Sequence, residues 1–189
     1  MDNGLNSTEV NAIAVNPQNP NMVVIATGGI ASIVGGGIYK TINAGKSWQE
    51  TYGLGGNFIT YYDGELYAAS YHTVLVSNDF GSSWKVVHAF PEIVTTMDVS
   101  NGGNTLFAGI YISSQVSILR STDAGFSFSY VLNLTGYYSV SQIQTNPSNS
   151  SRMMALIEHA YMVYPNLFNS SDAGLTWNAI DDSKVGINL

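Results

Sequence analysis

The segment Ser77-Asn78-Asp79-Phe80-Gly81-Ser82-Ser83-Trp84 follows a pattern, Ser/Thr-x-Asp/Asn-x-Gly-x-Ser/Thr-Trp/Phe, that occurs four times in this chain of 189 residues. The other three copies begin at Thr41, Ser121 and Ser170. Successive acidic or amide positions lie 36, 44 and 49 residues apart. This spacing is the period of a propeller blade of four strands. The repeat therefore predicts an all-β propeller in which each copy marks one blade.

The chemistry of each copy predicts a tight turn between two strands. An Asp or Asn side chain accepts hydrogen bonds from backbone N–H groups a few residues on, and the following Gly adopts positive φ without steric cost. Asn43 favours a structural role over a cation or substrate site, because an amide completes the turn but does not replace a charged ligand. The predicted structural residues are Asn43, Gly45, Trp48, Asp79, Gly81, Trp84, Asp123, Gly125, Phe128, Asp172, Gly174 and Trp177.

The repeated pattern resembles the Asp-box, also called the bacterial neuraminidase repeat, of sialidases, sortilin-type receptors and xyloglucan-cleaving glycoside hydrolases. The copies and their flanks carry this resemblance from about Val10 to Ile180, nearly the whole chain. The departures are Asn43 in the place of Asp and Phe128 in the place of Trp, and both suit a turn covered by an apolar ring. The resemblance implies a β-propeller that acts either in binding or in glycoside hydrolysis.

Short apolar segments separated by turn signals predict one domain over residues 1–189, built from four blades of four antiparallel strands. The predicted blades cover about 9–52, 57–91, 92–135 and 138–182. Two geometries are open at this point. The chain closes on itself as a ring of four blades, or it forms half of a larger ring completed by a second copy or by further sequence. An open arc would expose two apolar terminal faces that require a partner.

The composition excludes several classes of partner. Only 10% of residues are charged and the formal net charge is −7, so no basic surface is available to neutralise nucleic-acid phosphates. The chain has no Cys, which excludes disulfides and thiolate metal sites, and we expect no cofactor. No apolar run reaches the ~18 residues of a membrane span, and no signal peptide is visible. The neutral polar surface predicts an extracellular location or a cell or virion surface.

The candidates for catalysis are few. A sialidase-like site would need three Arg around a carboxylate, and the chain contains only Arg120 and Arg152. An ordinary glycosidase needs two carboxylates roughly 5–10 Å apart, for which Asp98 and Glu158 are the best pair outside the repeats. The simpler interpretation of this pair is a polar lining of the central channel. No metal site is expected, because no metal-ligand spacing relates the three histidines, His72, His88 and His159.

Tyrosines supply the strongest signal for binding. An exposed Tyr offers a rigid apolar face and a hydroxyl at little entropic cost, which suits contacts with sugars or proteins. Seven occupy predicted connections on one face of the propeller: Tyr52, Tyr71, Tyr111, Tyr137, Tyr138, Tyr161 and Tyr164. The leading hypothesis is a non-catalytic module that binds protein surfaces, its own copies or glycans. The alternative hypothesis is a glycoside hydrolase domain, sialidase-like or xyloglucanase-like, or a fragment of one.

Overall fold

Every blade consists of four strands, with one copy of the repeat between the third and the fourth. The computed structural model describes residues 3–7, 9–28, 36–113, 115–159 and 166–180. In the first blade these contain β1 (Val10–Val15), β2 (Val23–Thr27), β3 (Gly37–Thr41) and β4 (Gln49–Tyr52). The second blade contains β5 (Phe58–Tyr62), β6 (Glu65–Ser70), β7 (Thr73–Ser77) and β8 (Lys85–Ala89).

The third blade has strands of 7–8 residues, and the strands of the fourth blade shorten from 9 to 2 residues along the chain. The third contains β9 (Ile93–Ser100), β10 (Thr105–Ile112), β11 (Gln115–Ser121) and β12 (Ser129–Thr135). The fourth contains β13 (Tyr137–Thr145), β14 (Met153–His159), β15 (Asn166–Ser170) and β16 (Asn178–Ala179). Within the described ranges, no helix is both long enough and apolar enough to cross a membrane.

The four sheets form a β-propeller, which confirms the predicted fold class. Neighbouring strands within each sheet are antiparallel and follow chain order, as in β1-β2-β3-β4. The first strand of each blade packs against the first strand of the next, so that β1 contacts β5, β5 contacts β9 and β9 contacts β13. These first strands therefore line the centre, and the fourth strands lie at the periphery.

The hydrophobic core lies between the blades, in three clusters that each draw on two consecutive blades. The first joins Val24 and Ile38 of the first blade to Leu66 of the second. The second cluster lies between the second and third blades, and the third lies between the third and fourth. Burial of each large apolar side chain contributes roughly 1.5–3 kcal/mol, so these contacts hold the blades together. No packing of comparable extent joins β1 or β2 to β13 or β14 among the described strands.

Candidate functional site

The copies of the sequence pattern form turns between the third and fourth strands of each blade. In the second copy, the Ser77 hydroxyl donates to Oδ1 of Asp79 at 2.8 Å and accepts from the N–H of Gly81 at 2.7 Å. Ser83 donates its N–H to Oδ1 of Asp79 at 2.9 Å and its hydroxyl to Oδ2 at 2.6 Å. The same four bonds recur in the third and fourth copies. We call these segments the repeat turns: residues 41–48, 77–84, 121–128 and 170–177.

The first repeat turn keeps this network with an amide. Oδ1 of Asn43 accepts from the Thr41 hydroxyl at 2.8 Å and from the Ser47 N–H at 3.0 Å. The fourth bond runs the other way, because Nδ2 of Asn43 donates to the Ser47 hydroxyl at 2.8 Å. An uncharged side chain therefore completes the turn.

The carboxylates of the other three repeat turns are stabilised in their ionised form. Hydrogen bonds from the side chain and N–H of Ser127 lower the pKa of Asp123 to about 2, and those from Thr176 lower the pKa of Asp172 to about 2. At Asp79 desolvation raises the pKa, but the bonds from Ser83 outweigh it and the pKa falls to about 2. These three carboxylates therefore serve the hydrogen bonds of the turns, and near neutral pH they carry no proton to donate in acid–base catalysis.

The backbone of the repeat turns contains a feature that the sequence reasoning missed. The predicted Gly has φ between 75° and 88°, but the residue before it is also in the left-handed region. These residues are Ala44 (57°), Phe80 (53°), Ala124 (57°) and Ala173 (59°). A left-handed conformation costs a non-glycine residue roughly 1–2 kcal/mol, so the side-chain network offsets this strain.

The seven predicted binding tyrosines have different environments. Tyr161 and Tyr164 lie outside the described residues. Tyr52 packs on the core between the first and second blades, and Tyr137 packs on the core between the third and fourth. The ring of Tyr71 lies edge-on to His72, with ring centroids 4.0 Å apart. Tyr52, Tyr71 and Tyr137 are thus partly buried and engaged within the fold.

The remaining two, Tyr111 and Tyr138, meet in a cleft between the third and fourth blades. Tyr138 is 50% exposed, and Tyr111 is partly buried against the adjoining core. The cleft has a volume of about 480 Å³. It is lined by Ile93, Thr95, Tyr111, Tyr138, Ser139, Ser141 and Glu158. The cleft thus combines aromatic surface, three hydroxyl side chains and one carboxylate.

Strand register explains how Glu158 enters this cleft. Ser139 on β13 pairs with Glu158 on β14, and a β-bulge leaves Ser141 unpaired in the ladder. The Ser141 hydroxyl donates to Oε1 of Glu158. The Tyr138 hydroxyl also bonds to the Glu158 side chain, and this bond raises the pKa of Tyr138 because the phenol donates to a carboxylate. Glu158 is therefore held as an acceptor between two hydroxyl groups.

Asp98 lies on β9, the inner strand of the third blade. Its Oδ2 accepts from the N–H of Thr145 at 2.7 Å and from the Thr145 hydroxyl, which joins β9 to β13. Burial raises the pKa of Asp98, against the effect of these bonds. Thr145 and Ser141, which hold Asp98 and Glu158 respectively, are four residues apart on β13, or about 13 Å along a strand. This separation weighs against Asp98 and Glu158 acting as a catalytic pair.

The histidines take up separate local contacts. Nδ1 of His72 lies 2.6 Å from the carbonyl oxygen of Glu92, and Nδ1 of His88 lies 3.2 Å from that of Phe126. His159 contacts the Tyr137 ring, with centroids 4.8 Å apart. Within the described residues, no group of three His, Asp or Glu side chains is arranged to hold a metal ion.

Sequence reasoning identified Tyr111, Tyr138 and Glu158 separately but did not predict that they converge. It missed Ile93, Thr95, Ser139 and Ser141 altogether. If the residues of β13 and β14 are paired outward from the Asn146-Pro147-Ser148-Asn149 turn, Ser139 comes within one residue of the position opposite Glu158. The bulge at Ser141 shifts that count by one residue and has no distinctive sequence signal.

The comparisons with known proteins support the fold. No protein-family model matches the sequence, and no match is found among curated proteins. Among solved structures, an ancestral GH74 enzyme is 19% identical, with a TM-score of 0.64 over 96% of this chain and 25% of its own. The nidogen/laminin complex gives 10% identity and a TM-score of 0.66 over 91% of this chain and 64% of the other. YCF48 from Cyanidioschyzon merolae gives 12% identity and a TM-score of 0.59, over 90% and 56%.

These similarities establish the propeller architecture, and the identities are too low to carry an activity. The chain spans between 25% and 64% of the lengths of these three structures. They include an enzyme and a protein–protein complex on the same architecture, so the fold by itself does not separate binding from catalysis.

Proposed function

We propose that this chain is a non-catalytic β-propeller of the Asp-box type that recognises carbohydrate in the cleft between its third and fourth blades. The observation that carries this proposal is the convergence of Tyr111, Tyr138 and Glu158 in one opening of about 480 Å³. A volume of this size lies within the range of small-molecule sites.

The chemistry of the cleft suits a sugar ring. The apolar face of a pyranose packs on an aromatic side chain, and exposed Tyr138 provides such a face at little entropic cost. The equatorial hydroxyls of a sugar need acceptors and donors around its edge. The Glu158 carboxylate supplies acceptors, while the hydroxyls of Ser139, Ser141 and Tyr111 supply both functions.

The alternative function is glycoside hydrolysis, which is considered because the chain is similar in fold to a GH74 enzyme. Hydrolysis with two carboxylates needs a partner for Glu158 within about 10 Å. Among the described residues that line the cleft, Glu158 is the sole carboxylate, and Asp98 is bound to Thr145. These observations favour recognition without turnover.

Solved complexes on this architecture also support an interaction role. They include nidogen with laminin and YCF48 bound to the D1 peptide. We further propose that the chain works outside the cell or on a cell or virion surface, since only 10% of its residues are charged. Cell fractionation with detection of the full-length protein tests this location, and a purely cytosolic protein contradicts it.

The binding experiment compares Tyr138→Ala with Tyr130→Ala, using a panel of neutral oligosaccharides that includes xyloglucan fragments. Tyr130 on β12 is 55% exposed, close to the 50% of Tyr138, but it lies outside the cleft. Loss of a stacking aromatic costs roughly 1–3 kcal/mol, so Tyr138→Ala should weaken binding about 5- to 150-fold by calorimetry. Tyr130→Ala should bind like the wild type.

Two results would oppose the proposal. Equal affinities for the wild type and Tyr138→Ala would remove the cleft as the binding site. Release of reducing sugar by the wild type that disappears in Glu158→Gln would establish hydrolysis instead of simple recognition. The same assay with Asp98→Asn then tests the predicted carboxylate pair.

A further inference from the structure

The three contacts between consecutive blades, which we call junctions, share a common construction. At the first junction the repeat turn of the second blade lies on β2 of the first. A Cβ placed on Gly81 would lie 2.8 Å from Cγ2 of Val24. At the third junction a Cβ placed on Gly174 would lie 2.7 Å from Cζ of Phe107. At these two junctions the repeat turn thus docks against the second strand of the preceding blade. At the second junction a Cβ placed on Gly125 would instead lie 3.3 Å from Cγ2 of Val87 on β8.

A cation beside this contact holds the turn in two junctions. Lys40 pairs with Val24 across β2 and β3, and its Nζ donates to the carbonyl of Asp79 at 3.2 Å and to the Ser82 hydroxyl at 2.6 Å. Arg120 pairs with Phe107 in the same way across β10 and β11.

Nε of Arg120 then donates to the carbonyl of Ala173 in the next blade, at 3.0 Å. The residue before the repeat motif therefore reaches the next repeat turn. At the second junction this position is Val76, and His88 contacts the turn carbonyl of Phe126 there.

A third element of each junction lies near the centre. Nδ2 of Asn11 in the first blade donates to the carbonyl of Gly56, in the connection that leads into β5, at 3.0 Å. Nδ2 of Asn57 donates to the carbonyl of Val94 at 2.7 Å. The Thr95 hydroxyl donates to the carbonyl of Val140 at 2.9 Å. In each of the first three blades, a polar side chain on the inner strand or directly before it thus donates to the backbone across the junction.

The fourth blade presents the same construction, but among the described strands no further blade packs on it to a comparable extent. Met154 occupies the register position of Val24 and Phe107, yet it is 44% exposed where they are 0% and 1%. Asn169 occupies the position of Lys40 and Arg120 and is exposed. These two side chains line a groove of about 560 Å³ together with Gln144, Arg152 and Ile180.

The first blade presents the complementary half of a junction. Ile13 on β1 is 62% exposed, whereas Ile59, Met97 and Ile143, at the same position of the other inner strands, are 7%, 1% and 3% exposed. Val10 and Val15 beside it are about half exposed.

The first repeat turn is likewise uncovered. The three atoms nearest to a Cβ placed on Gly45 all belong to Trp48 of the same turn. Gly45 is only half-buried, whereas Gly81, Gly125 and Gly174 at the same position of the other repeat turns are buried. The first blade therefore exposes positions that the second, third and fourth blades bury against the blade before them.

We propose that these two faces bind each other in a second copy of this chain, head to tail, with the repeat turn of the first blade seated over Met154. Charge supports this occupant. In two internal junctions a cation meets a turn that carries an Asp, whereas uncharged Asn169 would meet the turn that carries uncharged Asn43. Two copies related in this way close a ring of eight blades, the upper end of the common range for propellers.

The first measurement is the particle mass of the full chain by light scattering over a concentration series. Closure at two copies predicts a stable mass of twice the chain mass of 20.3 kDa. A mass that stays at one copy up to about 100 μM overturns the proposal. Growth into open polymers overturns closure at two copies, because a head-to-tail contact that does not close propagates without limit.

Two surface variants locate the contact. Ile13→Glu and Met154→Glu each place a carboxylate in one of the apolar faces and should raise the dissociation constant at least about 100-fold. Val86→Glu is the matched control, because Val86 is 46% exposed on β8, away from both terminal faces. Its particle mass should equal that of the wild type.

Mixing the two variants tests the head-to-tail arrangement. Ile13→Glu keeps an intact fourth blade and Met154→Glu keeps an intact first blade, so the mixture retains one unmodified contact. We expect mixed dimers in native mass spectrometry where each variant alone is monomeric. Circular dichroism establishes that both variants are folded. The absence of mixed dimers, or assembly of either variant alone, contradicts the proposed contact.

Discussion

Alanine substitution of two equivalent glycines separates backbone strain from packing between blades. Gly45 and Gly81 occupy the same place in the first and second repeat turns, with φ of 82° and 76°. Both substitutions therefore incur the cost of a left-handed Ala, roughly 1–2 kcal/mol. Only at Gly81 would the new Cβ meet the preceding blade, 2.8 Å from Cγ2 and 3.3 Å from Cγ1 of buried Val24.

The contact with Val24 sets the expected difference in stability between the two variants. Overpacking of a well-packed core costs about 1–3 kcal/mol, so Gly81→Ala should lose about 2–5 kcal/mol in total. Gly45→Ala should lose only the backbone part. For a chain of this size, 1 kcal/mol corresponds to roughly 2–4 °C in Tm. The two variants should therefore differ by roughly 2–12 °C.

The assay is thermal and urea unfolding followed by tryptophan fluorescence. Both variants are prepared in the Met154→Glu background, so that the proposed contact between copies does not bury Gly45. Equal loss of stability in the two variants would refute the assigned packing of the second repeat turn on Val24. A larger loss for Gly45→Ala would place the first turn, and not the second, against a neighbouring blade.

Two further predictions concern carboxylates. The pKa of Asp123 is lowered to about 2 from about 3.9 in the unfolded chain, so its stabilisation is present above about pH 4 and is lost as pH falls toward 2. The Tm of Asp123→Asn should therefore fall less than that of the wild type between pH 4 and pH 2. Parallel curves of Tm against pH for the two proteins would contradict this. Asp98→Ala leaves the buried N–H of Thr145 without its acceptor and should cost roughly 1–3 kcal/mol in urea unfolding, whereas an unchanged midpoint would show that this bond is dispensable.

The architecture could be predicted from the sequence because each blade repeats a local signal. The bounds of β1 (Val10–Val15) and β14 (Met153–His159) follow from the apolar runs and the flanking turns. Between the third and fourth blades the connection is very short, since β12 extends to Thr135 and β13 begins at Tyr137. Gly136, with φ of 83°, turns the chain there within one residue.

The candidate site could be predicted only in part. Exposed tyrosines and unpaired carboxylates are recognisable as residue types, and Tyr138 and Glu158 were identified in this way. Their meeting depends on the register of β13 and β14 and on the bulge at Ser141, which sequence patterns do not specify. Tyr52 and Tyr137 share the composition signal of Tyr138, but they are partly buried against core clusters, because aromatic rings serve packing and binding equally well.

The placement of the core between blades has a consequence for how the molecule melts. Each blade depends on its neighbours for its apolar contacts, so the stability of the array behaves like that of a one-dimensional chain of coupled units. The outer blades have one neighbour each and should open first, as fraying ends in native-state hydrogen exchange. A closed ring has no ends, so closure would convert gradual loss from the termini into one cooperative transition.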